Sequence, residues 1–234
     1  MYQGNTLAQA LRAASVGREE ATFAIDQDSQ QSISYGALWN EAERIASALV
    51  ALGVQPQDRV AVQIEKSVTA IALYLGTVLC GAIHLPLNTA YTSAEVSYFL
   101  TDASPRVFVG DPAKLAALTP VAQAAGVQCV LSLDAQGAGS LSDAAAKVAP
   151  IAQAVARGPD DLAAFLYTSG TTGRSKGAML THGNLTSNAE ALRDLWQFTA
   201  QDVLIHALPI FHTHGLFVAL NVTLLAGGAV ALHR

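Results

Sequence analysis

The chain has 234 residues, of which 51% are hydrophobic and 13% charged, with a formal net charge of −5. That length buries a sizeable core in one or two domains, and that acidity excludes a surface built to hold a nucleic-acid backbone. The two cysteines, Cys80 and Cys129, sit in apolar surroundings and read as reduced core residues, and no basic stretch with a following apolar run opens the chain as a secretion signal would, so a cytoplasmic location is expected.

In chain order, the helical spacing of Leu7, Ala10, Leu11 and Ala14 predicts a short first helix capped by Asn5 or Thr6. Residues 21–25 and 31–34 read as a hairpin around the polar stretch 26–30. From Tyr35, apolar Leu38, Ala42, Ile45, Ala46 and Leu49 recur at helical period, and Gly53 is placed to end that helix. A regular alternation follows: strand 59–64, helix 67–80, strand 83–87, a helix to Asp102 opened by Thr92 and Glu95 as a capping box, and strand 106–109. A helix at 114–125, split near Pro120, and a strand at 129–133 complete it. Such alternation predicts the α/β class, with mostly parallel sheets flanked by helices.

Residues 134–161, rich in Ala, Gly, Ser and Pro, read as a surface connection with some helix around 141–155. We place a boundary there, between an N-terminal α/β subdomain (1–158) and the start of a second (159–234). The apolar run 162–167 ends at Thr168 and enters a loop of hydroxyls and glycines, and a second apolar run, 178–180, follows; both are expected to be core strands. Thr181 is an N-cap candidate for a helix carrying Leu185, Ala189 and Leu192 to Trp196. A strand at 203–207, the segment LPIFHTHG at 208–215, a helix at 216–225 and a strand from Ala229 complete the chain. No internal repeat is evident, and the uncharged runs 67–86 and 203–233 are too interrupted by proline, glycine and histidine to predict a membrane span. Both loops are expected at strand ends, where open α/β sheets hold ligands.

The loop's chemistry suits an anion. Gly170, Gly173 and Gly177 let several backbone N–H groups approach one site; Thr168, Ser169, Thr171, Thr172 and Ser175 add hydroxyls; Arg174 and Lys176 add positive charge. It is not a Walker loop, since Ser175 stands before Lys176, and no GxGxxG occurs in the chain. A plain Gly/Ser/Thr turn accounts for the same residues, and a solvated Lys176 is its counterpart. His212 and His214 lie two apart with no Cys, Asp or Glu close in sequence, a poor metal set, so no protein-held metal is predicted; a pair of hydrogen-bonded turn histidines is the simpler account. Lys66, His84 and His206 belong to no motif and read as structural.

Residues 165–177, FLYTSGTTGRSKG, resemble the AMP-binding signature of the adenylate-forming superfamily, which holds the acyl-CoA synthetases, luciferases and nonribosomal peptide adenylation domains. One departure is Ser175, where many members carry proline. The flanking segments 65–105 and 202–228 also look like acyl-CoA synthetase sequence, and the combination is similar to malonyl-CoA synthetases in particular. The resemblance implies an ATP-dependent carboxylate–CoA ligase working through an acyl-AMP intermediate, with ATP, Mg²⁺ and coenzyme A, and a small carboxylic acid as substrate. It implies a phosphate site at Thr168, Ser169, Gly170, Thr171, Thr172, Gly173 and Lys176. It also implies an acyl pocket at His212, with neighbouring Phe211 and His214. The family's catalytic lysine, on its C-terminal domain, is expected beyond Arg234, so the 234 residues read as an N-terminal piece inactive alone. Another acyl- or aryl-CoA synthetase, or a non-catalytic nucleotide-binding scaffold, is the alternative.

Overall fold

The computed structural model describes residues 2–168 and 175–233. Ten strands make two sheets among the described residues. In the first, β1 (Thr22–Asp26) pairs antiparallel with β2 (Ser32–Ser34) and parallel with β10 (Ala229–Leu232), which pairs parallel with β9 (Val203–His206), giving the order β2-β1-β10-β9. The second runs β6 (Cys129–Ser132), β5 (Val107–Gly110), β3 (Arg59–Gln63), β4 (Ile83–Pro86), β7 (Leu162–Thr168), β8 (Lys176–Thr181). Its neighbours are all parallel except β7 and β8. The fully buried strands β4 and β5 follow from their position between partners with helices over both faces.

Local chemistry sets the helix starts. For α1 (Thr6–Ala13) the cap is Asn5, not Thr6: its side chain accepts from Ala8 N. The same amide donates to Val78 O at 3.0 Å and Val155 O at 2.8 Å, so one residue ties three segments. Ser34 caps α2 (Tyr35–Ala51), Ser67 caps α3 (Val68–Leu79), and α4 (Ser93–Ala103) opens on the predicted Thr92–Glu95 capping box. Helix α3 is apolar all round, buried from Ala70 to Leu79, and packs on α2, on β4 and, through Tyr74, on Phe217.

Four expectations need correction. Helix α5 (Pro112–Ala124) runs unbroken through Pro120, where Ala116, Ala117 and Pro120 itself are exposed and no packed neighbour resists the adjustment that the proline ring requires. The connection after β6 holds a shorter helix than expected, α6 (Ser140–Ala146). Strand β8 is not interior: it is the sheet's edge, with Met179 63% exposed. After α7 (His182–Trp196), the expected helix 216–225 is two elements, a π-helix His214–Leu220 and α8 (Asn221–Ala226). Among the described residues, no helix is long and apolar enough to cross a membrane.

Candidate functional site

Strands β7 and β8 form a hairpin whose last rung pairs Thr168 with Lys176, both exposed. These two predicted phosphate-site residues therefore face each other at the mouth of the loop. Ser169, Gly170, Thr171, Thr172 and Gly173 lie outside the described residues, as does Arg174. The hairpin is braced where it meets the loop. The Phe165 ring lies over Gly177, where an added Cβ would fall 2.2 Å from a ring carbon, so only glycine fits beneath it. Tyr167 packs on Phe99 of α4 at 4.4 Å between ring centroids, and its hydroxyl donates to Asp102 Oδ2 at 2.5 Å. Burial, reinforced by that carboxylate, raises the phenol's pKa and keeps it a donor. Tyr98 donates to Ser175 O at 3.3 Å. Helix α4 thus holds the base of the loop from one side.

Parallel strands align their carboxyl ends, so the loops after β3, β4, β5, β6 and β7 share one edge of the large sheet. The 208–215 segment, after β9 of the small sheet, reaches the same edge. Lys66, three residues past β3, makes the join: its buried ammonium donates to His206 O at 2.9 Å and to Leu208 O at 3.0 Å. A cavity of about 250 Å³ opens there, lined after β3 by Ile64, Glu65 and Lys66 and after β9 by Pro209, Ile210 and Phe211.

Ile64, Ile210 and Phe211 also wall a second, inner chamber of about 10 Å³, room for one water, which Pro86, Leu87 and His84 of the β4 region help enclose. The 208–215 segment therefore sits over β4, the immediate neighbour of the loop-bearing β7. Of the predicted acyl-pocket residues, Phe211 lines the cavity. His212 and His214 are exposed beside it, the His212 ring 4.7 Å from that of Phe211 and His214 opening the π-helix.

His206 and Lys66, read from sequence as structural, stand at the centre of this edge. His206 Nε2 lies 2.8 Å from Gly215 O. A carbonyl only accepts, so Nε2 carries the proton and Nδ1, 3.5 Å from Lys66 Nζ, is the free lone pair. Burial holds the His206 pKa below its ordinary value; the bond to Gly215 O opposes this and the Lys66 charge adds to it. Burial likewise lowers that of Lys66. Among the described residues no carboxylate lies within ion-pair reach of Lys66. The only sequence signal was a lysine entering a long apolar run.

Among the described residues, no cluster of three His, Cys, Asp or Glu side chains is placed to hold a metal. The chain matches the AMP-binding enzyme family over residues 11–234 and belongs to it. It is similar to MatB from Rhodopseudomonas palustris: the crystal structure of the apo protein gives a TM-score of 0.94 at 50% identity, covering 99% of this chain and 45% of that one. The ATP-bound crystal structure of the same protein gives 0.91 at 50% identity, covering 97% and 45%. An oxalate–CoA ligase of Arabidopsis thaliana is 34% identical over 214 residues, 86% of this chain and 40% of the relative. The chain spans less than half the length of these relatives, and its architecture is that of the N-terminal domain of an acyl-CoA synthetase-like fold.

Proposed function

We propose that the protein carrying this chain is an ATP-dependent carboxylate–CoA ligase that activates a small acid, malonate first, through an acyl-AMP. One observation carries the reading: the hairpin loop of β7 and the 250 Å³ cavity under Phe211 open at one sheet edge, with β4 between them. A nucleotide's phosphates on the loop and an acid in the cavity would thus be held within reach of each other. MatB, similar over nearly the whole of this chain, has been crystallised with ATP, which supports a nucleotide here. The similarity of the signature and its flanking segments, 65–105 and 202–228, taken together, to malonyl-CoA synthetases supports the acid.

In the reaction, a carboxylate oxygen of the acid attacks the α-phosphorus of ATP; that P–O bond forms as the bond to the β-phosphate breaks and pyrophosphate leaves with the electron pair. The thiol of coenzyme A then attacks the acyl carbon, loses its proton and expels AMP. Lys176, Thr168 and the loop hydroxyls would offset charge gathering on the leaving phosphates, and Phe211, with His212 and His214 at the rim, would hold the acid. Mg²⁺ would neutralise phosphate charge and, with no ligand cluster on the described residues, arrive bound to ATP.

The product of the complete coding sequence tests this by acid-dependent exchange of labelled pyrophosphate into ATP. Malonate should support exchange at least about tenfold better than benzoate, a discrimination of ~1.4 kcal/mol or more between the two acids at the transition state. Absence of exchange with every acid would contradict the ligase reading, and a preference for benzoate would contradict the assignment of the acid.

A further inference from the structure

The segment between β9 and the π-helix is strapped at several points, and most of the straps run through two side chains. Lys66 Nζ takes the carbonyls of His206 and Leu208. His206 Nε2–H takes the carbonyl of Gly215, and its Nδ1 faces Lys66 Nζ. The remaining straps are backbone, Leu216 N to His212 O at 3.0 Å and His233 N to His206 O at 3.2 Å. Residues 206–215 are thereby closed into a loop, with Lys66 reaching it from the other sheet, 140 residues earlier in the chain.

Three acceptors, two carbonyl oxygens and one imidazole nitrogen, converge where the lysine is 7% exposed. A single group with three donors satisfies them, and the ammonium is that group. A shorter or neutral side chain would take the donor from Leu208 O and from His206 Nδ1 and leave His206 O with only the backbone bond from His233 N at 3.2 Å, so the loop would lose its tie to the other sheet. Because its three donors are already directed at this loop, the ammonium is not aimed at a substrate in the cavity it borders. The loop it holds carries Phe211 in the cavity wall and leads into a π-helix, a wide turn that persists only where surrounding contacts fix it.

We propose that Lys66 and His206 are positioning residues for the acid: together they lock residues 206–215 in the conformation that places Phe211, and beside it His212, over the cavity. The lock stands on the structure alone. Its consequence for the acid rests on the proposed function, and the two parts are tested separately.

Hydrogen exchange on the product of the complete coding sequence tests the lock. In Lys66→Met the amides of 208–220 should exchange about tenfold faster or more, while those of α2 and α5 keep their wild-type rates. His206→Leu should act in the same region, and His206→Gln, which keeps a donor for Gly215 O, should act less. If Lys66→Met does not fold, His206→Leu and His206→Gln decide the matter. Unchanged exchange at 208–220 in a folded variant overturns the proposal, as does acceleration spread evenly over the chain.

Steady-state kinetics on the product of the complete coding sequence test the consequence. Each disruptive variant should raise the KM for the acid about tenfold or more with the KM for ATP within about twofold. Faster exchange at 208–220 with an unmoved acid KM would overturn the positioning role. A wild-type protein that activates no acid would instead defeat the proposed function, with the exchange result still deciding the lock.

Discussion

Replacing Gly215 by alanine is expected to cost about 3 kcal/mol, the upper end for one extra methyl group in a packed site, and to abolish activation of the acid. The added Cβ would sit 2.1 Å from the carbonyl oxygen of Pro209 and 2.8 Å from its carbon. Both are backbone atoms, so no rotamer change relieves the overlap, and one side of the 208–215 loop must move. Movement there breaks the bond from His206 to Gly215 O and with it one strap on Phe211. Gly126→Ala is the matched control: Gly126 has φ +85° and nothing within 4 Å of an added Cβ, so alanine there meets only backbone strain of about 1 kcal/mol. Urea unfolding of the two variants should show the larger loss at Gly215. Equal losses would mean that the 208–215 loop yields freely and is not the rigid wall described above.

Acidification below pH 6.5 should unfold the protein through two buried neutral histidines. Burial pushes the pKa of His84, 3% exposed with its ring edge-on to Tyr74 at 5.3 Å, down to about 3. His182, fully buried with Nδ1 accepting from Leu7 N, is pushed down to about 4, chiefly by burial, with a nearby Asp161 opposing the shift. Nδ1 of His84 has no hydrogen-bond partner, and in His182, where Nε2 carries the proton of the neutral ring, a proton added at Nδ1 would displace the bond from Leu7 N. In the unfolded chain each ring titrates near 6.5 and binds a proton that the folded state refuses. Stability is therefore full above about pH 6.5 and falls as the pH drops towards 4, by about 1.4 kcal/mol per pH unit for each histidine. Glu41 works in the opposite sense, because burial raises its carboxyl and charging it destabilises the fold. The urea midpoint should drop clearly between pH 7 and pH 5 in the wild type and markedly less in a His84→Leu, His182→Leu double variant. A wild-type midpoint flat over that interval would show that both rings take up protons in place.

Much of the frame was legible because its signals are local. The Thr92–Glu95 box, the caps at Asn5 and Thr181 and the alternation from residue 59 to residue 133 each lie within one turn or one period, and each appears where those residues placed it. Strand on either side of the loop was legible for the same reason, Thr168 and Lys176 flanking it in sequence as they do in space, while their antiparallel pairing was not read. Readings that depended on distant surroundings fared worse. Whether β8 is central or an edge is decided by what lies on its far side, which its own six residues do not record. Whether Pro120 ends α5 depends on how freely its exposed face can adjust, which residues 112–124 alone do not record. Lys66 and His206 carried no motif because their partnership spans 140 residues and ends largely on backbone carbonyls, atoms that every residue has.

Calorimetric titration of the complete protein with MgATP, beside a variant carrying Thr171→Ala, Thr172→Ala and Lys176→Ala, is the most direct test of nucleotide capture by the β7–β8 loop. The wild type should bind, and the triple variant should lose about a hundredfold or more in affinity, since charge-assisted hydrogen bonds are worth ~1.5–3 kcal/mol each. Equal affinity in the two proteins, or no heat from the wild type, would contradict the account at its centre.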